Sequence, residues 1–557
     1  MKAKTKSNIV LLTVLVVVLI GINVLGSHFY KRFDLTQDHR YTLSNAALHT
    51  LDSLDSPLII DVFLEGEFPS EFRRLKTETR QLLEEFALNN DQLKFNFIDP
   101  MENEASRDNN IQVLTKRGLQ PFQITIKESG KSSQEIIFPW ALASYHDKTV
   151  KISLLKNKIG ASDQEMVTNS IQHLEYAFAE GFKKLTTEKS KKIAILKGNG
   201  ELDDLYIADF LKTIHEHYNL APFTLDSVAN NPKKTLKELE GYDLIIAAKP
   251  TQAFTEEEKQ VLDQYIMNGG KSLWLTESVI MDRDSLLNDS GRSIALVRDL
   301  NLTDFFFKYG VRINPELVMD MYSAPITLAI GEGSNAQFQP IQWQFSPLAA
   351  SNPNHPITKN LNLIKFDFAS PMDTLKNGVK KTILLRSSNL SKLEGVPREI
   401  SLNMVTQEPD PQSFNKGPQT LAVLLEGEFT SVYNNRILPF KLSDEKNKSV
   451  PTKMIVIADG DVIKNDVVRN QPQELGFDHW TGQHFGNKEF LENAVNYLLN
   501  DDGLINIRSK DVAIAFLDTQ KVSAEKSEWQ FVNIAVPLGL LVLFSLAFNY
   551  FRKRKYT

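Results

Sequence analysis

Carboxylates at the end of an apolar stretch are the chain's first candidates for chemistry. Asp459 and Asp461 follow Lys453-Met454-Ile455-Val456-Ile457 in the turn Ala458-Asp459-Gly460-Asp461. Gly198, Asn199, Gly200 and Glu201 follow Ile193-Ala194-Ile195-Leu196 in the same way, ahead of a helical stretch. In α/β folds ligands bind at such strand ends, and the N–H groups that open the next helix attract anions. Glu201 and the aspartates after it would repel a phosphate, and a structural turn is the plain alternative for both loops. These six residues are candidates for a ligand or interaction loop. No catalytic, cofactor-binding or metal-ligating residue is expected.

Other chemistries fail on spacing. A phosphate-cradling loop needs Gly-x-x-x-x-Gly-Lys-Ser/Thr between a strand and a helix. Asn268-Gly269-Gly270-Lys271-Ser272 ends correctly, but Tyr265 stands where the upstream glycine belongs, and the segment follows a helix and precedes a strand. A helix C-cap is its reading. The glycines at 198 and 200 lack the lysine that should follow. Cysteine is absent, which removes thiol nucleophiles, thiolate metal sites and disulfides. A Gly-x-Ser-x-Gly elbow is absent as well. His215 and His217, two apart on a helical stretch, point to different faces. His479 and His484, near Asp478, share one loop, where hydrogen-bonded loop residues are the simpler reading than a metal pair. The expectation is a protein that is no enzyme and carries no cofactor.

The elements that must position these loops lie between two apolar runs. Ile9 to Leu25 is uncharged and follows Lys2, Lys4 and Lys6; its 17 residues sit at the lower limit for a spanning helix. A cleavable signal peptide is the rival reading, with Val24 and Gly26 small enough for a cleavage site, but the run is longer than the usual apolar region. Phe531 to Phe551 is the second run, flanked by Trp529 and Tyr550 and followed by Arg552, Lys553, Arg554 and Lys555. Pro537 and Gly539 within it are tolerated in membrane spans. The basic cluster predicts a cytoplasmic C-terminus. With two spans, both termini are then cytoplasmic and the bulk of the chain lies across the bilayer, which for a bacterium is the periplasm.

The 557 residues suffice for about three or four domains. A hydrophobic content of 42% allows large cores. A net charge of -6 argues against nucleic acid, whose binding needs a concentrated basic face.

Between the runs, the pattern predicts a capped helix after Thr42 or Ser44, then a βαβ unit. Its strands are Leu58 to Gly66 and Leu93 to Pro100, and Ser70 caps the helix between them. A short helix near Asn110 to Gly118 follows, and Pro121 leads into a third strand and then Glu135 to Trp140. This order resembles a thioredoxin-like domain, without the dithiol that its chemistry requires. Ser162 and Glu165 form a capping-box pattern for a helix to Thr187, which would link the first domain to the next. From Lys192 strands and helices alternate with short connections, which means a parallel sheet covered on both faces. The alternation continues through a helix over Leu296 to Gly310 and a strand over Glu316 to Tyr322. A β-rich insertion with strands at Ile364 to Ala369, Lys380 to Ser388 and Glu399 to Val405 precedes Gln419 to Glu426 and Lys453 to Asp459, which complete the sheet before a closing helix.

The expected fold class is therefore α/β with one transmembrane helix at each end. The boundaries are 1–8 cytoplasmic, 9–25 transmembrane, 26–155 thioredoxin-like, 156–190 helical linker, 191–322 α/β domain, 323–415 β-rich insertion, 416–510 completion of the α/β domain, 511–530 membrane-proximal linker, 531–551 transmembrane and 552–557 basic tail.

Several stretches are similar to the gliding-motility-associated ABC transporter auxiliary proteins, GldG, of Bacteroidetes. They are DLTQDHRYTLS, LKGNGELDD, LDQYIMNGGKSLWL, SNPNHPITKNL, VIADGDVIKND and FGNKEFLENAVNYLL, in that order, with both apolar runs outside them. The resemblance covers nearly the whole chain; the order of its segments, rather than any single motif, makes it specific. It implies an amidotransferase-like or flavodoxin-like central domain, akin to that of an intraflagellar-transport protein. It also implies a non-catalytic inner-membrane subunit working with an ABC permease (GldF-like) and an ATPase (GldA-like) in gliding motility or linked secretion. The alternative is a tethered solute- or polysaccharide-binding protein serving a transporter, which requires a concave pocket at the strand ends.

Overall fold

Two sheets grow from the apolar stretches. The computed structural model describes residues 12–24, 42–52, 54–128, 131–156, 158–330, 337–442, 444–499, 503–509 and 519–556. Residues 1–510 form one unit and residues 511–557 another.

Ser44 caps a short helix, Asn45–His49, by accepting from the Ala47 N–H. The first sheet contains β1 (Leu58–Val62), β2 (Leu93–Phe97), β3 (Trp140–Tyr145) and β4 (Lys148–Ser153), in the order β2-β1-β3-β4. β1 and β2 run parallel through α1 (Ser70–Asn89), and β3 and β4 are antiparallel. Pro69, not Ser70, is the N-cap of α1; Ser70 is the first helical residue and its hydroxyl donates to Glu71. The strand after Pro121 stands outside this sheet. Phe122–Glu128 and Lys131–Ile137 pair with each other as a hairpin, and the next sheet strand is β3, after Pro139.

α2 (Asp163–Thr186) opens with the expected capping box between Ser162 and Glu165. Expected as a linker, it is instead a core helix that packs on α1 and on β3 and β4. Gly181 allows the closest approach, since a Cβ there would lie 2.7 Å from Ile152 Cδ1.

The larger sheet has a parallel half and an antiparallel half. The parallel half comprises β5 (Lys192–Lys197), β6 (Asn219–Thr224), β7 (Leu244–Ala248), β8 (Lys271–Leu275) and a late strand. The antiparallel half contains β9 (Ser323–Ile330), β10 (Gln337–Ser351), β11 (Lys380–Arg386) and β12 (Thr420–Gly427). The late strand, β13 (Thr452–Ile457), adds parallel to β8, and the full order is β9-β10-β11-β12-β13-β8-β7-β5-β6. The late strands thus complete the sheet. The hairpin of β9 and β10 belongs to it too, rather than to a separate insertion.

Side chains of a strand alternate between faces, so both faces of the parallel half are apolar and both are covered. Ile193 and Ile195 pack with α3 (Ala208–His215) and α6 (Asn487–Leu499) through Phe210, Ile214, Phe490 and Leu491. Ala194 and Leu196 pack on the other face with α4 (Pro232–Leu239) and α5 (Glu256–Met267) through Leu236, Val261 and Leu262.

Three further stretches differ from the pattern expected of them. The stretch expected to form one helix from Leu296 divides into a strand, Arg292–Val297, and a short helix, Thr303–Tyr309, because Ile294 and Leu296 follow the strand period. Glu316–Asp320 does not extend the parallel sheet; it pairs antiparallel with Ser391–Gly395. The strands expected at Ile364 and Glu399 shrink to Ile364–Lys365 and Arg398–Ser401.

In the second unit α7 (Thr519–Tyr556) includes Ala524–Arg554, a helix long and apolar enough to cross a membrane. Leu12–Val24 is a shorter apolar helix. The residues that would extend it lie outside the described residues.

Candidate functional site

Strand order in the parallel half reverses between β5 and β7, and there the first candidate loop is found. A crevice at such a reversal would receive a ligand, but here the chain fills it. The Thr251 and Gln252 N–H groups both donate to the Asn199 carbonyl at 2.9 Å, and the Leu202 N–H donates to Ala248 at 3.0 Å. The Thr251 hydroxyl donates to the Gly200 carbonyl at 2.8 Å, and Asn199 Nδ2 donates to Glu258 at 3.2 Å. Gly200 has φ +72°, and a Cβ there would lie 2.1 Å from Thr251 Oγ1. Burial raises the Glu201 carboxyl above its ordinary range, and that carboxyl accepts from the Asn199 N–H at 2.8 Å. Gly198, Asn199, Gly200 and Glu201 therefore build a turn closed largely by its own hydrogen bonds, with Glu201 Oε1 buried and unpartnered among the described residues.

The second candidate pair belongs to a charge cluster across the ends of β7, β8 and β13. Lys249 leaves β7 in a left-handed conformation, φ +57°. Its ammonium lies 2.7 Å from Asp461 and 3.1 Å from Glu277, and it also donates to Asp282. Gly460 lets the lysine pass, since a Cβ there would lie 2.3 Å from Lys249 Cγ. Arg298 reaches the other Glu277 oxygen at 3.4 Å. Asp459 is fully buried and accepts from the Asp367 and Asp461 N–H groups, each at 2.7 Å.

The electrostatics follow from burial and crowding. Burial pushes Glu277 up to about 7 against the pull of Lys249, with Asp461 adding to the rise. Asp459 is raised well above its ordinary value by burial and then by Asp461. Burial opposes the Lys249 charge, but Asp461, Glu277 and Asp282 together hold it firmly protonated. Burial also opposes charge on Asp282, yet Lys249 keeps that carboxyl below its ordinary range.

Glu277, Asp282 and Asp461 each present an oxygen, all within 4.8 Å of one another, as a divalent cation would require. The Lys249 ammonium sits among these oxygens and offsets part of the trio's negative charge. A second trio, Glu180, His217 and Glu492, has the same character. Lys184 lies 3.6 Å from Glu492 and 4.0 Å from Glu180. Although burial opposes it, Lys184 and His217 bring Glu492 down to about 2.

Beside Asp461 opens a cavity of about 570 Å³, bounded by β9 and by the loop containing Phe477 and Trp480. Arg283 grips Asp367 there at 2.7 and 2.5 Å. Burial opposes the Asp367 charge, but Arg283 and Lys365 bring it down to about 2. The histidines do not converge: His479 lies 3.6 Å from Asp466, and His484 lies 3.9 Å from Glu474. His215 is exposed, while His217 faces Glu492 at 3.7 Å. Asn268 is a helix C-cap, as its sequence predicts.

Residues 190–494, which run from the start of β5 into α6, match the model of a family described as an ABC-type uncharacterized transport system. That match covers 305 of the 557 residues. The chain belongs to this family of ABC transporter auxiliary proteins. Residues 37–144 of the auxiliary protein match a domain of unknown function. No curated protein matches the chain. Among solved structures the mmIFT52 N-terminal domain is similar at 13% identity, covering 56% of this chain and 98% of that one, with a TM-score of 0.33.

Sequence reasoning placed Asp459 and Asp461 in this auxiliary protein's cluster but missed Lys249, Glu277 and Asp282. A signal existed for the first two. Lys249 ends the otherwise apolar run Leu244-Ile245-Ile246-Ala247-Ala248, and Glu277 ends the run that starts at Leu273. Both are charges at strand ends, as Asp459 is, but only the strand order brings the three ends together.

Proposed function

We propose that this auxiliary protein is a membrane-anchored, non-catalytic accessory subunit of an ABC-type complex, working with a permease and an ATPase. In this reading it is a GldG-type protein with GldF-like and GldA-like partners, in gliding motility or linked secretion. Both termini lie in the cytoplasm and residues 26–530 lie in the periplasm, with helices at residues 9–25 and 531–551 as anchors. The first sheet, ordered β2-β1-β3-β4 and closed by α2, supports a thioredoxin-like N-terminal domain. The parallel order β6-β5-β7-β8-β13 supports a flavodoxin-like central one.

The observation that carries the non-catalytic reading is Lys249. Its ammonium occupies the space among three carboxylates at the strand ends, where an α/β enzyme would bind substrate. The apolar helix Ala524–Arg554 supports the anchor. A tethered solute binder is the second reading, favoured by the cavity of about 570 Å³.

The chain has no cysteine, so single introduced thiols test the topology cleanly. Ile437→Cys, at a side chain 95% exposed, should react with a membrane-impermeant maleimide in intact spheroplasts. Thr557→Cys should react only after lysis. Labelling of Thr557→Cys in intact spheroplasts would overturn the proposed orientation.

A further inference from the structure

The large sheet ends at β9, which among the described residues is hydrogen-bonded only to β10. Side chains of a strand alternate between faces, so a cavity facing one side of a strand touches every second residue. The cavity beside Asp461 touches four in a row, Pro325, Ile326, Thr327 and Leu328. It therefore faces the strand's edge, where alternate residues present N–H and C=O groups away from β10. Among the described residues, no hydrogen bond from another element reaches the backbone of Pro325–Ile330. Exposed edges are usually blunted. Here an irregularity between Ser323 and Pro325, and Pro325 itself, blunt the start of β9 and leave Ile326–Ile330 regular.

The opposite wall is acidic and aromatic. Five aspartates line the cavity against Arg283, Lys365 and Lys464. Asp367 is held by Arg283, Asp461 by Lys249 and Asp284 by Lys464. Asp466 is half exposed, with His479 at 3.6 Å and Arg283 and Lys365 close enough to feel its charge. Trp480 is 53% exposed and lies with its ring 4.8 Å from that of Phe338 on β10, at one end of the cleft. The five aspartates outnumber Arg283, Lys365 and Lys464 along the cavity, and an exposed indole that shares it with a half-exposed carboxylate suits a cationic side chain.

We propose that this cleft takes an extended polypeptide segment from a partner protein, which adds a strand to the edge of β9 at Ile326–Ile330. Backbone hydrogen bonds supply the affinity, as in strand addition generally. A lysine or arginine of the incoming segment reaches Asp466 and Trp480. The inference does not depend on the membrane topology or on which transporter the chain serves.

The test is to pan phage-displayed random decapeptides against the full-length protein in detergent and to synthesise the enriched peptides. They should carry lysine or arginine and slow amide hydrogen exchange within Ile326–Ile330. Thr327→Pro and Leu328→Pro each remove one N–H, and strand alternation directs one of the two outward. The variant that keeps the wild-type unfolding midpoint should bind about tenfold more weakly, and Asp466→Asn about threefold more weakly. The proposal fails if no peptide is enriched, or if enriched peptides leave exchange at Ile326–Ile330 unchanged. It also fails if chitohexaose fills the cleft with an affinity that both proline variants preserve, which would make the ligand a glycan.

Discussion

Lys249 Nζ donates to Asp461 Oδ2 at 2.7 Å across the ends of two strands that lie apart in the parallel sheet, β7 and β13, from positions 212 residues apart. The pair is almost dry, with side-chain exposures of 4% and 10%. A buried charge costs several kcal/mol unless it is paired, so the cation and its carboxylates stand or fall together. The same contact occupies the ends of β7 and β13.

Removing the cation should therefore be costly. Lys249→Gln leaves Glu277, Asp282 and Asp461 crowded with Arg298 and Lys464 as the remaining nearby cations, and should destabilise the fold by about 3–5 kcal/mol. Urea unfolding followed by circular dichroism measures this. A loss below about 1 kcal/mol would mean that solvent already screens the cluster.

Glu277 makes the cluster sensitive to pH. Its carboxyl has an ordinary value of 4.5 and is pushed up to about 7 in the folded protein. Between those values the folded state keeps a proton that the unfolded chain releases, so this group's stabilisation falls as pH rises through the window. Glu277→Gln cannot ionise. Its stability relative to wild type should improve by about 1–3 kcal/mol from about pH 5 to about pH 8. Denaturant midpoints of the two proteins across that range give the difference, and a flat difference would contradict the buried, protonated carboxyl.

Gly460 should tolerate no side chain while Lys249 is present. Its backbone is not left-handed, so Gly460→Ala tests packing alone: the new Cβ would lie 2.3 Å from Lys249 Cγ. A loss of about 1–3 kcal/mol is expected, as for overpacked cores. An unchanged thermal midpoint would show that the lysine has another path.

The filled crevice makes a parallel prediction. Gly200→Ala combines a left-handed backbone with a Cβ 2.1 Å from Thr251 Oγ1, and should cost about 1–3 kcal/mol. Asn199→Asp, which replaces a donor facing Glu258 by a second carboxylate, should also destabilise. If this loop served a ligand instead, both changes would leave the fold intact.

Much of this architecture was legible in the chain. Ile193-Ala194-Ile195-Leu196 and Met454-Ile455-Val456-Ile457 are apolar on both faces, which only a doubly covered strand requires, and they proved to be β5 and β13. The capping pair Ser162 and Glu165 set the start of α2 correctly. β6 gave little signal, because Pro222 and the polar ends of Asn219–Thr224 suit an edge strand and hide its pattern. β9, β10 and β11 fall in the expected insertion because their pairing with the rest of the sheet is non-local. Nothing near Ala350 announces Arg386 as its partner. The site divides the same way: Asp459 and Asp461 were visible as charges after a strand, whereas Lys249 and Asp282 became their partners only through strand order.

Whether this auxiliary protein works as a fixed subunit of an ABC-type complex is decided by gentle solubilisation of the tagged full-length chain with mass spectrometry of what co-purifies. A permease and an ABC-type ATPase should be recovered in constant ratio to the bait. Recovery of the folded bait without either, under conditions that hold a control membrane complex together, would contradict the subunit reading and leave the tethered binder as the better description.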